Sequence, residues 1–232
     1  TANNDITVTL ANGEQITIAA TSSTGEISVD APADDAYVNG AISNSIASAT
    51  EANAGQSDAL ENLAIAGDTN VTTTVTDNDT QTTLSLDDVN VNEGAGTATI
   101  SATLSNAPTD EPLEITLDNG ATLSFGVGHT TATSTEFDIQ DDDVYIDGES
   151  ITVGASVTSG GDEFENLNVD DTATVTVSDT TDTVTVNLSA SDSVAEDGTI
   201  TYTASLTDAN GNAATANNDI TVTLANGEQI TI

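Results

Sequence analysis

The sequence has no lysine, arginine, cysteine, methionine or tryptophan, and only three tyrosines, three phenylalanines and three prolines among its 232 residues. Without cysteine the chain forms no disulfide, and its redox compartment cannot be read from its composition. Without basic side chains it lacks the cations that bind phosphate, so nucleic acid and anionic membrane surfaces are poor partners. Because large aromatic residues usually supply much of a core's buried area, a core with modest hydrophobic stabilisation is predicted.

The sequence also lacks any apolar run long enough to cross a bilayer, and it shows no signal peptide. A segment from the interior of a longer repeat array would show neither feature. We therefore expect no direct membrane insertion.

Acidic residues are abundant. The chain contains thirty-nine aspartates and glutamates and a single histidine, which gives a formal net charge of −39. Such a charge is typical of disordered chains. However, 36% of the residues are hydrophobic and they recur periodically, a pattern that a disordered, solvated tail does not need. The composition therefore predicts a folded acidic protein that takes its cations from solution.

The chain contains repeats. Its first eighteen residues, "TANNDITVTLANGEQITI", are also its last eighteen, residues 215–232. Weaker matches lie between these copies: "VTLANGEQITI" with "ITLDNGATLSF", "DDAYVNG" with "DDVYIDG", "DALENL" with "DEFENL", and "TVTDNDTQTTLSL" with "TVSDTTDTVTVNL". Their spacing indicates a tandem array of modules of about 100 residues, the size of an immunoglobulin-like domain.

The repeats predict three parts. Residues 1–79 form the C-terminal part of an immunoglobulin-like repeat (module A), residues 80–181 form a complete repeat (module B), and residues 182–232 form the N-terminal part of the next module A. Residues 182–214 followed by residues 1–79 would make one whole module. The competing interpretation is strand exchange between separate chains, although both ends carry the same hairpin and would compete for one place in a sheet.

Alternating apolar residues favour β-strands throughout. "TATISATL" places Ala98, Ile100, Ala102 and Leu104 on one face, and "DITVTL" does the same with Ile6, Val8 and Leu10. Further predicted strands cover residues 84–86, 115–117, 123–125, 137–139, 144–146, 151–157 and 173–177. Asn-Gly pairs at 12–13, 119–120 and 226–227 predict hairpin turns. The predicted fold is all-β, with tandem immunoglobulin-like β-sandwich domains joined end to end by very short linkers; one helix candidate covers residues 51–63.

Carboxylates cluster near the predicted module junctions. The candidate metal ligands are Asp77 and Asp79 at one junction, Asp179 and Asp182 at the next, Glu93 and Glu196 just after each junction, and Asp34, Asp35, Asp142 and Asp143 in mid-module. Such clusters can supply the six to eight oxygens that calcium (Ca²⁺) accepts, whereas magnesium demands a strict octahedron. The alternative is that single aspartates serve turns or solubility. Clustered acids with no basic partner repel one another unless a metal neutralises them, which favours calcium binding.

Other candidate sites are poorly supported. His129 stands alone and is interpreted as a loop histidine, since one histidine builds neither a triad nor a zinc site. "DANGNAATANND", residues 208–219, begins like an EF-hand loop but has Ala213 where that loop needs glycine, so a polar turn is predicted. No nucleophile, base and orienting group can be assembled, and we expect no enzymatic activity.

Several motifs together resemble a known family. "DTVTVNLSASDSVAEDGTITYTASLTDANGN", "ITVTLANGEQITI", "DDAYVNG", "ENL" and "TTTVTDNDT" resemble the immunoglobulin-like extender repeats of giant bacterial RTX adhesins, including biofilm and ice-binding adhesins. Module B, with "VNEGAGTATISATLS" and "TVSDTT", is also similar to the Calx-β pattern. The glycine-rich nonapeptides that name the RTX class are absent here.

This resemblance implies a calcium-rigidified spacer, exported by type I secretion to the bacterial cell surface, that projects a terminal ligand-binding domain from the cell. By position it assigns the "EG" acid to Glu93 and Glu196, and the junction acids to Asp77, Asp79, Asp179 and Asp182. Module A reads "EDG" instead of "EGxG", which departs from the pattern at Glu196. The implied partners are calcium ions and neighbouring repeats of the same chain.

Two other functions fit the sequence. The threonine-rich faces are compatible with a module that binds ice, sugar or another cell directly. Repeated sandwiches are also compatible with a self-assembling extracellular filament or surface-layer protein.

Overall fold

A computed structural model describes all 232 residues, Thr1–Ile232. It contains twenty-one β-strands and no helix, which confirms the predicted all-β, sandwich-type fold. No helical segment is therefore available to span a membrane. The chain divides into two compact units: unit 1 comprises Thr1–Thr82 with Asp162–Leu167, and unit 2 comprises Thr83–Gly161 with Asn168–Ile232.

Unit 1 is built on five strands in two small sheets, of order β2-β1-β4 and β3-β5. These strands are β1 (Ile6–Leu10), β2 (Gln15–Ile18), β3 (Ile42–Asn44), β4 (Ile46–Glu51) and β5 (Val71–Thr73). Alternation along β1 turns Ile6 and Val8 inward, where they form a buried cluster with Ala2. Residues 162–167 join this unit through Phe164, whose ring centroid lies 5.7 Å from that of Tyr37.

The division into units falls within two strands, β6 (Gln81–Leu86) and β16 (Asn166–Asn168). The remaining strands belong to unit 2: β7 (Val89–Asn92), β8 (Thr97–Ala98), β9 (Ser101–Leu104), β10 (Leu113–Leu117), β11 (Thr122–Phe125), β12 (Thr131–Thr133), β13 (Phe137–Asp138), β14 (Glu149–Val153), β15 (Ala155–Ser159), β17 (Ala173–Ser178), β18 (Thr185–Ala190), β19 (Tyr202–Thr207), β20 (Thr221–Thr223) and β21 (Gln229–Thr231).

Unit 2 contains the larger core. Its sheets include β11-β10-β15 and β14-β17-β7, while β6 pairs with β9 and β9 with β12. Alternate residues of β10 and β17 point inward, and the largest fully buried side chains include Ile100, Leu113, Ile115, Leu123 and Phe125. Strands β7 and β17 are parallel, with Asn92 opposite Ser178, which places the residues after both strands at one end of the sheet.

The predicted Asn-Gly hairpins are confirmed. Each pair connects two antiparallel strands, β1 to β2, β10 to β11, and β20 to β21. The glycines Gly13, Gly120 and Gly227 have φ values of 91°, 86° and 90°, in the left-handed region that glycine reaches without a steric cost.

Three local predictions are wrong. Residues 51–63 form turns instead of a helix, because Asn53 (φ 57°) and Gly55 (φ 86°) adopt left-handed conformations that end any helical turn. Residues 144–146 form a bend instead of a strand, in which the Tyr145 amide donates to the Asp143 carboxylate at 2.7 Å.

The single strand predicted over residues 151–157 is two strands that belong to different sheets. β14 pairs with β17 and β15 pairs with β10, so the chain changes sheet at Gly154. The Gly154 amide donates to the Asp118 carboxylate at 3.1 Å, and a Cβ at this position would lie 2.8 Å from Asp118 Oδ2. A side chain at this position would push the Asp118 carboxylate away from the backbone amide that it satisfies at the crossover.

An aspartate outside the core stabilises strand β6. Asp171 Oδ2 accepts a hydrogen bond from the Leu86 amide at 2.8 Å, and this bond lowers the pKa of Asp171 below its ordinary value. A depressed folded-state pKa stabilises the fold above the unfolded-state pKa, and this stability is lost as pH falls through the folded-state value.

We expect Asp171→Asn to lower the free energy of unfolding at pH 7 by about 0.5 kcal/mol, since solvent screens this exposed group. The difference from wild type should shrink at acid pH, as measured by urea unfolding at pH 7 and pH 3. Asp170→Asn is the matched control, because the Asp170 carboxylate accepts only a 3.4 Å bond from the Asn168 side chain. An equal loss in both variants would contradict a role for the Leu86 bond.

Candidate metal centre

Glu93 directly follows strand β7 and is fixed by the end of β17. Its amide donates to the Ser178 carbonyl at 3.0 Å, and its Oε1 accepts from the Thr180 amide at 2.7 Å and the Thr180 hydroxyl at 3.2 Å. The residue is only 4% exposed. Its second carboxylate oxygen, Oε2, is buried and has no hydrogen-bond partner.

A buried carboxylate oxygen without a partner is costly. Burying an ionised carboxylate costs several kcal/mol of hydration free energy. A hydrogen-bond donor or a cation must offset this cost. The chain has no lysine or arginine that could serve. Glu93 Oε2 is therefore suited to a cation taken from solution.

Four more carboxylates converge on Glu93. Two groups, Glu93 with Asp142 and Asp182, and Glu93 with Asp143 and Asp147, each place one oxygen per residue within 4.8 Å of the others. Glu93 is buried and the four aspartates are exposed, beside a cavity of about 460 Å³ that Glu93, Gly94 and Asp142 help to line. Several acids that share so small a volume repel one another unless a cation neutralises them.

Thr180 organises part of this cluster. Its amide donates to Glu93 Oε1, and its hydroxyl, which has one proton, is shared between Asp142 Oδ1 at 2.5 Å and Glu93 Oε1 at 3.2 Å. One threonine thereby fixes one oxygen of Glu93 and one of Asp142, while Glu93 Oε2 keeps its lone pairs available. An all-oxygen set with unequal exposure and room for water matches the six to eight ligands and flexible geometry of calcium better than the compact octahedron of magnesium.

Gly94 allows Asp142 to pack closely against the backbone that follows Glu93. It has a φ of 73°, and a Cβ built on it would lie 2.7 Å from the Cβ of Asp142. We expect Gly94→Ala to displace Asp142, to lower the melting temperature and to weaken calcium binding about tenfold or more, because a ligand that moves by even an ångström is lost.

Gly96→Ala is the matched control for Gly94→Ala. Gly96 also has a positive φ, 79°, but a Cβ there would meet no atom within 4 Å. Backbone strain should lower the melting temperature of both variants, whereas calcium affinity, measured by calorimetric titration, should fall only in Gly94→Ala. Equal affinities would show that the Asp142 contact is unimportant.

The other predicted ligands are not members of the two groups. In unit 1, Asp77 accepts from the Asn39 amide at 3.1 Å and Asp35 from the Tyr37 amide at 2.9 Å. In unit 2, Asp179 accepts from the Asp147 amide at 3.1 Å, which repeats the Asp77 arrangement. The predicted residues outside the two groups are Asp34, Asp35, Asp77, Asp79, Asp179 and Glu196.

Unit 1 has no group of converging carboxylates like those around Glu93, and comparison of the repeated sequences explains this difference. The counterpart of Glu93 in module A is Glu196, which follows residues 1–79 in the chain and is exposed. Asp197 occupies the position of Gly94 with a similar φ of 64°. The loop conformation after the acid is thus preserved, but no strand packs over Glu196 to bury it.

Two residues of the cluster were missed by sequence reasoning. Asp147 lies in "DDVYIDG", the stretch already matched between repeats, but its module A counterpart is Asn39, so it did not stand out as an acid shared by both copies. Thr180 lies in "TVSDTT" beside the junction acids, and its hydrogen bonds to Glu93 and Asp142 could be recognised only from the structure.

The EF-hand-like stretch forms a turn. Asp208 accepts from the Asn212 side chain at 3.0 Å and from the Asn210 and Asn212 amides, and these bonds lower the pKa of Asp208. Its oxygens are thus engaged by the local backbone. His129 Nδ1 lies 3.0 Å from the Val127 carbonyl within a loop.

Comparison with protein families gives one assignment that covers nearly the whole chain. The model of the LapA domain matches three times, over residues 1–78, 79–180 and 182–232. No curated protein matches the chain. With three consecutive matches on a repetitive, all-β chain, the protein belongs to the LapA domain family, a large adhesin-related family.

Proposed function

We propose that this chain is a calcium-rigidified spacer of a large secreted bacterial surface adhesin, of the immunoglobulin-like RTX extender type. Two observations carry this proposal: Glu93 Oε2 is buried without a hydrogen-bond partner, and carboxylates of four aspartates converge on Glu93. The LapA family supports the coarser statement that the chain is a repeat of a large surface adhesin.

The position of the cluster along the chain supports a mechanical role. Glu93 and Asp142 belong to predicted module B, whereas Asp182 is the first residue predicted for the following module. A calcium ion bound to all three would connect residues on both sides of this junction, only two residues beyond Thr180. Ligands on both sides of a short linker restrict its bending, and this is how we propose that calcium stiffens the array.

Repulsion between the acidic side chains, relieved by calcium, would switch the chain between a loose and a stiff state. With a formal net charge of −39 and no basic side chain, the chain repels itself in the absence of divalent cations. Extracellular modules bind calcium with Kd values of about 10⁻⁴–10⁻³ M, far above cytosolic calcium concentrations. The protein would stay loose and exportable by type I secretion inside the cell, and would fold fully and stiffen outside.

The proposed partners follow from this role. They are calcium ions and the neighbouring repeats of the same chain, with ligand recognition assigned to a terminal domain elsewhere in the full protein. We propose no enzymatic activity and no binding of nucleic acid.

The test compares the 232-residue chain in calcium, in magnesium and in EDTA. We expect a higher melting temperature in calcium than in either other condition, with magnesium giving at most a small rise, because ligand binding to the folded state adds stability by mass action. Small-angle scattering should show a narrower distribution of dimensions in calcium. Equal melting temperatures and equal scattering in calcium and EDTA would defeat the proposal.

A further inference from the structure

Asparagine precedes glycine at several places in this chain: Asn12, Asn39, Asn119, Asn210 and Asn226. Asparagine is among the chemically labile side chains. In an Asn-Gly pair the backbone nitrogen of the glycine can attack the side-chain carbonyl carbon of the asparagine, and glycine has no Cβ that would obstruct the attack. Each pair is therefore reactive where the local fold leaves the glycine nitrogen available.

Turns protect four of these pairs. In each of them the glycine amide donates a hydrogen bond at 2.8–3.1 Å to the carbonyl three residues earlier: Gly13 to Leu10, Gly120 to Leu117, Gly211 to Asp208 and Gly227 to Leu224. This bond must break before the glycine nitrogen can lose its proton and attack.

The pair Asn39 and Gly40 lacks this protection. The Gly40 amide donates no hydrogen bond, and the residue is exposed in a loop without regular structure. In the complete module B, Gly148 occupies the same position of the repeat, and its amide is also free. The free amide is therefore a feature of this loop in both copies of the repeat.

We propose that Asn39 is a self-modification site, at which the side-chain amide is slowly converted to a carboxylate. The Gly40 nitrogen forms a bond to Asn39 Cγ, the bond from Cγ to Nδ2 breaks, and ammonia leaves with the proton of the Gly40 amide. Water then opens the resulting five-membered ring at either of its two carbonyls, which gives aspartate or isoaspartate. The net reaction consumes one water and releases one ammonia.

The surroundings of Asn39 make the added charge consequential. Its Nδ2 donates to the Tyr37 carbonyl at 3.2 Å, and its backbone amide donates to Asp77 Oδ1 at 3.1 Å. A carboxylate at position 39 cannot donate to Tyr37, and it adds a negative charge close to Asp77. The modification therefore replaces an attractive contact of this loop by repulsion.

The segment next to Asn39 contacts residues of the following predicted module. The Val38 amide donates to the Glu163 carbonyl at 2.8 Å, and the ring centroids of Tyr37 and Phe164 lie 5.7 Å apart. Isoaspartate adds a carbon atom to the backbone beside this contact. We expect modified chains to lose hydrogen-exchange protection at the Val38 amide, compared with fresh protein.

The test is incubation of the full chain in mildly alkaline heavy-oxygen water, both folded and unfolded in urea. Digestion with a glutamate-specific protease in ordinary water then releases residues 27–51, which contain Asn39, and residues 115–136, which contain Asn119. Mass spectrometry with fragmentation locates and measures the heavy oxygen. In the folded chain Asn39 should react about two- to tenfold faster than Asn119, because only Gly120 must first break a hydrogen bond. In urea the two rates should be similar, because both residues precede glycine and no turn remains.

Gly40→Ala is the matched variant. A Cβ at this position would meet no atom within 4 Å, so the variant should keep the wild-type circular dichroism. Its methyl group obstructs the attack and should lower the rate at Asn39 to that of Asn119 or below. If Asn119 reacted as fast as Asn39 in the folded wild type, or if Gly40→Ala left the rate at Asn39 unchanged, the proposal would be overturned.

Discussion

Replacing Glu93 by glutamine should abolish most of the stabilisation that we propose calcium provides. At a calcium concentration of 100 times Kd, one bound ion adds about 2.7 kcal/mol to the stability of the folded state. For a domain of about 100 residues this raises the melting temperature of the wild type by about 10–20 °C, and we expect Glu93→Gln to show a rise below about 3 °C. Differential scanning calorimetry in calcium and in EDTA measures both values.

Without metal, the same substitution should raise the stability of the folded state above that of the wild type. In EDTA the wild type buries an ionised carboxylate whose Oε2 has no partner, beside aspartates that repel it. Glutamine removes this charge, keeps an oxygen that accepts from the Thr180 amide, and has an NH₂ group that can donate a hydrogen bond to a neighbouring aspartate. We therefore expect Glu93→Gln to be more stable than wild type in EDTA by about 1–3 kcal/mol, the usual cost of an unsatisfied buried group.

Glu196→Gln is the matched control, since it makes the same chemical change at the repeat counterpart of Glu93, which is exposed. It should keep the full calcium-dependent rise in melting temperature. If Glu93→Gln kept this rise as well, or lost stability equally in calcium and EDTA, the metal centre would have to lie elsewhere.

This pair of glutamates also shows what the sequence could and could not predict. Both follow a junction, both precede a residue with a left-handed backbone, and both were selected as ligands by position. Their burial differs because it depends on remote strands: β17 lies parallel to β7 and brings Ser178 and Thr180 to Glu93, whereas no such strand reaches Glu196. A local pattern identifies a carboxylate, but only tertiary packing leaves one of its oxygens without a partner.

The fold was predictable where the signal was local. Alternation along β1, β10 and β17 and the Asn-Gly turns identified strands and hairpins, because side-chain period and turn conformation are set within a few residues. The break at Gly154 was not, since alternation continues through it while the hydrogen-bond partners change from β17 to β10. The module boundaries near residues 79 and 181 stay predictions.

Truncating a buried side chain of the core should also lower the stability of the fold strongly. Phe125 is fully buried in unit 2, and its repeat counterpart Ile18 is only partly buried in unit 1. We expect Phe125→Ala to lower the free energy of unfolding by about 3–5 kcal/mol, since it removes a large buried side chain and leaves a cavity.

Ile18→Ala should cost only about 1 kcal/mol, because a side chain that is already in contact with water loses less on truncation. Urea unfolding in calcium, monitored by circular dichroism, compares the two variants with wild type.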